Sequence, residues 1–266
     1  MAGRFLVVDS GIGGLAVARE IRRQQGQADI IYAADDAGFP YGEMTEAKLT
    51  FRVIELVERL VGRFRPDVVV IACNTASTLV LPPLRARFSI PVVGTVPAIK
   101  PAAATSRSGL ISVLATPGTI DRDYTRALIA EHAPDRHVRL VGSFQLAPLA
   151  EAHMRGEAVE TAALADEIRP AFIERDGART DLVVLGCTHY VFLLDLLKRA
   201  AAWPVRWIDS SPAIARRALS LAPAGASARA GGAAMLTSGG RWPEALQPLL
   251  METKLEPLPD PYLTAG

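Results

Sequence analysis

Two hydrophobic rhythms alternate along the chain. Short runs of β-branched and aliphatic residues occur at 5–9, 30–34, 68–72, 92–95, 110–115, 138–141, 182–186, 205–208 and 234–237. Between most of them apolar residues recur at helical spacing, as over 45–64, 119–132, 159–175 and 190–202. In the second half of the first of these, Ile54, Val57, Leu60, Val61 and Phe64 repeat at three- and four-residue steps, which places them on one helix face. The runs 68–71 and 182–185 are apolar at every position, and each follows an aspartate, Asp67 or Asp181. A strand without polar alternation is covered on both faces, which suits a parallel sheet. Strand and helix in alternation predict an α/β fold with mainly parallel sheets and right-handed crossovers.

The chain also repeats itself. Arg65-Pro-Asp-Val-Val-Val-Ile-Ala-Cys73-Asn-Thr75 resembles Arg179-Thr-Asp-Leu-Val-Val-Leu-Gly-Cys187-Thr-His189. Pro91 follows Cys73 by 18 residues and Pro204 follows Cys187 by 17, each ahead of a valine. Val7-Val8-Asp9-Ser10 corresponds loosely to Val113-Leu114-Ala115-Thr116. Two α/β repeats are therefore expected, each placing a cysteine just beyond a central strand. The segments 97–101 and 209–212 mark the crossings. The expected domains are 1–97 with 209–266, carrying Cys73, and 98–208, carrying Cys187. The run 234–237 and a helix over 243–251 return to the first unit. The stretch 224–232, rich in Ala and Gly, reads as a loose loop, and the tail after Glu256 has three prolines and no periodicity.

Composition narrows the function. A length of 266 residues allows one large domain or two small ones. Lys+Arg 29 against Asp+Glu 28 leaves a net charge of +1, with no positive excess to hold a nucleic acid. Aromatics at 6% are too sparse for a base-stacking platform. Two cysteines exclude a disulfide framework and a four-cysteine zinc site. No apolar stretch reaches the length of about 18 residues needed to span a membrane. The apolar run at the N-terminus is too short for a signal-peptide core, so a cytoplasmic location is expected.

Polar groups gather at predicted strand ends, where open α/β sheets bind ligands: Asp9-Ser10, Cys73-Asn74-Thr75, Thr116, Cys187-Thr188-His189 and Asp209-Ser210. A cysteine after a buried strand is most often a small core residue. Here each is followed by polar residues that begin a helix, and a helix N-terminus favours thiolate. A redox pair would call for Cys-x-x-Cys, and a metal site for more soft ligands than four histidines offer. Of these histidines only His189 has a suggestive position. Gly11-x-Gly13-x-x-Ala16 matches a relaxed dinucleotide fingerprint, with Asp35 or Asp36 as its ribose acid. A dinucleotide-dependent oxidoreductase is thus an alternative, opposed by a carboxylate, Asp9, where a pyrophosphate would lie. Pro40-Tyr41-Gly42 reads equally as an ordinary turn or a ligand contact.

Taken together, these residues resemble the glutamate racemases, cofactor-independent enzymes of bacterial cell-wall synthesis. The resemblance spans Asp9-Ser-Gly-x-Gly-Gly-Leu15, Tyr32-x-x-Asp35, Pro40-Tyr-Gly42, Ala72-Cys-Asn-Thr-Ala-Ser77, Pro148-Leu-x-Glu151, Gly186-Cys-Thr-His-Tyr190 and Asp209-Ser210. The departures are Val191 for a proline, Asp36 for a threonine, and Ser143-Phe144 for Cys-Pro. The resemblance implies two pseudo-symmetric α/β domains with glutamate in the cleft between them, and a homodimer. It implies that Cys73 deprotonates D-glutamate and Cys187 L-glutamate, assisted by Asp9, His189 and Glu151. It further implies that Asp9, Ser10, Pro40, Tyr41, Gly42, Asn74, Thr75, Thr116, Thr188 and His189 hold the substrate. Another two-cysteine racemase, acting on aspartate or hydantoins, is the near alternative. Lys48, Lys100, Lys198 and Lys254 are the only lysines, and none lies at a recognisable strand end. A Schiff-base cofactor is therefore not expected, and neither is a metal.

Overall fold

The computed structural model describes residues 3–223 and 231–258. Among these residues twelve strands follow in chain order: β1 (Arg4–Asp9), β2 (Asp29–Ala34), β3 (Val68–Ile71), β4 (Val92–Gly94), β5 (Leu110–Ala115), β6 (His137–Gly142), β7 (Glu174–Arg175), β8 (Ala178–Arg179), β9 (Leu182–Leu185), β10 (Arg206–Asp209), β11 (Gly231–Leu236) and β12 (Glu256–Pro257). They form a six-stranded sheet ordered β12-β11-β2-β1-β3-β4, a four-stranded sheet ordered β10-β9-β5-β6, and the hairpin β7-β8. Every pairing in the two large sheets is parallel. The chain divides into two units: one runs to Thr95 and resumes at Ser211, and the other is Val96–Ser210.

The repeat is real in topology and register. The order β2-β1-β3-β4 in one sheet matches β6-β5-β9-β10 in the other. Val7 pairs with Val70, and at the equivalent place Val113 pairs with Val184. The small residue before each cysteine continues the ladder identically: Ala72 N–H donates to Val8 O at 2.8 Å, and Gly186 N–H to Leu114 O at 2.7 Å. Close packing explains the smallness, since a Cβ on Gly186 would stand 2.9 Å from the Ala115 Cβ. The proline correspondence is looser. Val69 pairs with Val92, but its counterpart Val183 pairs with Trp207, two residues beyond Val205.

All nine predicted strands form, and their apolar character sorts centre from edge. β3 and β9 are buried throughout, whereas edge strand β6 alternates exposed and half-buried positions until Val141. The predicted helices are shorter and more interrupted than the apolar spacing suggests. Glu46–Phe64 is one helix, capped by Thr45, whose hydroxyl accepts from Lys48 N–H. Its face Leu49, Val53, Leu56, Val57 and Leu60 covers the first sheet. The expected 119–132 helix breaks into Pro117–Ile120 and Asp123–His132. That over 159–175 stops at Ile168, and 190–202 becomes a 3-10 turn, Thr188–Leu193, before the helix Leu194–Ala200. The 243–251 helix is likewise a 3-10 turn, Glu244–Leu246, followed by Gln247–Thr253. Gly231 and Gly232, expected in a loop, open β11, and Glu256–Pro257 pairs with it. The rest of the expected loop, 224–230, and the tail from 259 lie outside the described residues.

Arg22, from the helix Leu15–Gln24, is almost wholly buried and donates to the carbonyls of Gly26, Ala28, Gly231 and Thr253. It thereby ties β11 and the end of the helix Gln247–Thr253 to the first sheet. Arg22→Met strands four carbonyls at once and is expected to cost about 3 kcal/mol, seen as a lower urea midpoint.

Candidate active site

In the first unit the carboxyl ends of β1, β2 and β3 present Asp9, Asp35 and Cys73. β1 ends at Asp9, whose Oδ1 accepts from the Ser10 N–H at 2.8 Å. Both residues are buried. Of the glycines that follow, Gly14 serves close packing. A Cβ on Gly14 would stand 2.8 Å from the Tyr32 ring and 2.9 Å from the Asp9 Cβ, so only glycine lets the helix Leu15–Gln24 start here. Tyr32 donates its hydroxyl to the Gly11 carbonyl.

Cys73 is a buried cysteine outside any disulfide, at the N-cap of the helix Asn74–Arg87. The first-turn N–H groups and the helix dipole favour negative charge at that position. Asn74, only 3% exposed, has no hydrogen-bond partner for Nδ2 or Oδ1 among the described residues. A buried amide left this way costs about 1–3 kcal/mol for each unmet group. The arrangement is tolerable where a polar ligand completes it. Thr75 and Ser77 are buried in the same turn, with the Ser77 hydroxyl donating to Ile71 O at 3.1 Å.

Pro40 and Gly42 are half-buried and Tyr41 is buried. The 3-10 turn Tyr41–Glu43 follows β2. The Tyr41 hydroxyl donates to Asp35 Oδ2 at 2.6 Å. Burial and the charges of Asp35, Cys73 and Asp9 push its phenol well above the usual range, so Tyr41 stays protonated at neutral pH. Asp35 also accepts from Arg52 Nε at 2.5 Å, Arg52 Nη2 at 2.7 Å and Thr237 Oγ1 at 2.6 Å. With its oxygens so occupied, Asp35 has no place for a ribose. Asp36 instead binds the Ser238 N–H at 2.9 Å. The dinucleotide reading thus loses its acid.

In the second unit Cys187 is free, buried and at the N-cap of the 3-10 turn Thr188–Leu193. The expected helix dipole is weaker here, because a short 3-10 helix replaces the start of a long α-helix. A side-chain relay stands in its place. Cys187 Sγ lies 3.8 Å from His189 Nδ1, and His189 Nε2 lies 3.0 Å from Glu151 Oε1. His189 is buried, and Glu151 comes from the helix Leu146–Met154 with a side chain only 13% exposed. Arg155 stands 3.8 Å from the other Glu151 oxygen. Tyr190 is wholly buried beside this group. Burial first, then Cys187 and Glu167, push its phenol far up, so it is a wall and not a base. Thr188 heads the turn and is buried, while Thr116 follows β5 with its hydroxyl 3.0 Å from that of Thr119.

Of the departures from the resembled pattern, Ser143 caps Leu146–Met154 by accepting from Gln145 and Leu146 N–H, and Phe144 is exposed. Val191 is half-buried within the 3-10 turn. Arg52 and Thr237 carried no signal in the sequence: one is a polar position on an amphipathic helix, the other a strand-end threonine.

A sequence profile of the Asp/Glu/Hydantoin racemase family matches residues 15–218. The chain belongs to that family. The glutamate racemase of Brucella anthropi is 58% identical over 218 residues, covering 82% of this chain and 78% of the relative. The Escherichia coli glutamate racemase, solved with L-glutamate and the activator UDP-MurNAc-Ala, superposes with a TM-score of 0.87 at 41% identity, over 97% of this chain and 99% of that one. Isoform RacE1 of the Bacillus anthracis glutamate racemase gives 0.81 at 26% identity, over 96% of each. As in any racemase of this family, the chemistry to account for is inversion at an acidic carbon. Among the described residues no helix is long and apolar enough to cross a membrane.

Proposed function

We propose that this chain interconverts L- and D-glutamate by proton transfer at the α-carbon, with Cys73 and Cys187 as the two acid/base groups. The observation that carries the reading is positional: each of two sheets of matching order and register follows its buried central strand with a buried cysteine that is in no disulfide. The 58% identity to a Brucella glutamate racemase and the L-glutamate bound to the E. coli relative support glutamate as the substrate. Inversion removes a proton from one face of the carbon and returns one to the other. At any moment one sulfur is thiolate and the other thiol, and the reverse reaction exchanges them.

A thiol of pKa about 8.5 is ionised to only a few per cent near pH 7, so each needs help. His189, oriented by Glu151, takes the Cys187 proton. Asp9 does so for Cys73: a carboxylate that stayed charged beside the thiol would hold its pKa up, so Asp9 serves as proton acceptor. Asn74 supplies the unmet donor and acceptor for the substrate, with Ser10, Thr75, Thr116, Thr188 and the turn at 40–42. Fixed donors of this kind stabilise the charge that develops when the α-proton leaves. The D-glutamate formed feeds peptidoglycan synthesis in the cytoplasm, and the enzyme acts as a homodimer.

L-Glutamate incubated with the protein in D₂O is expected to yield D-glutamate carrying deuterium at the α-carbon, by chiral chromatography and mass spectrometry. Inversion of aspartate with glutamate untouched would transfer the activity to the aspartate branch. Retention of the α-proton in the inverted product would remove the two-base scheme.

A further inference from the structure

The Asp35 carboxylate is 1% exposed and sits among four donor contacts, two of them from the planar guanidinium of Arg52. Arg52 comes from the helix Glu46–Phe64, Tyr41 from the turn after β2, and Thr237 from the end of β11. Three separate elements are thus tied to one buried charge. Sheet register places that charge close to Cys73. Asp9 pairs with Ala34 and Val8 with Ile71, so Asp35 and Cys73 stand level across β1, two strands apart. At about 4.8 Å per strand this separation is about 10 Å. Tyr41 lies in one apolar cluster with Cys73 and feels the charge of both groups.

We propose that Arg52 is a positioning residue for Cys73: by its two-point pairing with Asp35 it fixes the Tyr41 hydroxyl and neutralises a buried carboxylate that otherwise faces the thiol. The proposal rests on the reading of Cys73 as a proton-transfer thiol. With the hydroxyl hydrogen committed to Asp35, Tyr41 offers only lone pairs elsewhere. The other ionisable groups at this corner are Asp9 from β1 and Asp36, which shares Thr237 with Asp35. On the helix, Lys48, Glu55 and Arg59 surround the outer mouth of a cavity of about 340 Å³ lined also by Asp35 and Arg52. Their charges are of mixed sign and lie on the solvent side, so Arg52 is the cation that meets Asp35 directly.

The test follows the Cys73 thiolate without any substrate. In a Cys187→Ser background, the rate of alkylation by iodoacetamide is measured against pH. Arg52→Met leaves Asp35 uncompensated, and the midpoint is expected to rise by about one pH unit for charges about 10 Å apart at an effective dielectric near 20. Asp35→Asn leaves the cation instead and is expected to lower it by a similar amount. The Arg52→Met/Asp35→Asn pair brings it back towards the starting value. Arg52→Lys keeps the charge but loses the fork, so in the two-cysteine enzyme KM for glutamate rises about 5-fold while the midpoint stays put. Opposite shifts of the two single variants cannot come from loosened packing alone. Midpoints that do not move, or a double variant as displaced as Arg52→Met, overturn the proposal; if Arg52→Met fails to fold, Asp35→Asn and Arg52→Lys decide. Shifted midpoints in a protein that leaves glutamate untouched would keep the clamp and discard the substrate.

Discussion

Cys73→Ser and Cys187→Ser are each expected to slow racemisation at least about 10³-fold, because a hydroxyl at the same place is a far poorer acid and base than a thiol. Loss in both variants does not by itself separate the two roles. L- and D-glutamate are mirror images, so their equilibrium constant is unity. The ratio kcat/KM must then fall equally in both directions, whichever thiol is missing. An irreversible half-reaction escapes this constraint. With a glutamate bearing a halide on the β-carbon, the thiolate takes the α-proton, the C–H pair forms the double bond, and halide leaves. One base suffices, and none is needed on the far face. Cys73→Ser is expected to retain elimination from the L-analogue through Cys187, and Cys187→Ser from the D-analogue through Cys73. Halide release followed with each pure enantiomer checks this. Equal loss for both enantiomers in both variants would contradict the division of labour. Stability should hardly change, because serine is isosteric and both positions already border polar residues.

The strands were legible because burial on both faces leaves an unbroken apolar run, as in Val68–Ile71 and Leu182–Leu185. The repeat was legible for a related reason. A strand that ends against its neighbour needs a small residue and then a cysteine at the same step, so Ala72-Cys73 and Gly186-Cys187 align. Helix ends were less legible. They depend on local caps, and apolar spacing alone ran through the break at Asp121–Arg122 and the 3-10 turn at Thr188–Leu193. The Cys187–His189–Glu151 chain could be half read, since Cys and His are neighbours in sequence while Glu151 lies 38 residues from His189. Asp35 was visible only as a strand-end acid. Its partners Arg52 and Thr237 arrive from 17 and 202 residues away, and no pattern in a single sequence ties such residues together. The unmet Asn74 amide, the feature that asks most plainly for a polar ligand, exists only once the chain is folded around it.

The second large effect concerns the asymmetry between the two thiols. The position equivalent to Asp9 in the second sheet is Ala115, so the end of β5 offers Cys187 no carboxylate of the kind β1 offers Cys73. His189 takes that place from the other side of the cysteine. Glu151 accepts from Nε2–H, which leaves the Nδ1 lone pair facing Sγ. In the proposed mechanism the imidazole accepts the thiol proton, and the carboxylate stabilises the imidazolium that results, as in other base–orienter pairs. Asparagine at 189 keeps the size and polarity of the side chain but cannot take up a proton. His189→Asn is expected to lower kcat/KM about 10²-fold, equally for both enantiomers by the symmetry argument above. Glu151→Gln, which leaves the imidazole in place but removes its charge partner, is expected to cost about 10-fold. The discriminating measurement is again elimination. His189→Asn should slow halide loss from the L-analogue by a factor close to its effect on racemisation, and leave the D-analogue, served by Cys73 and Asp9, near the wild-type rate. Slowing of both analogues alike would mean that His189 binds the substrate and does not prepare one thiol.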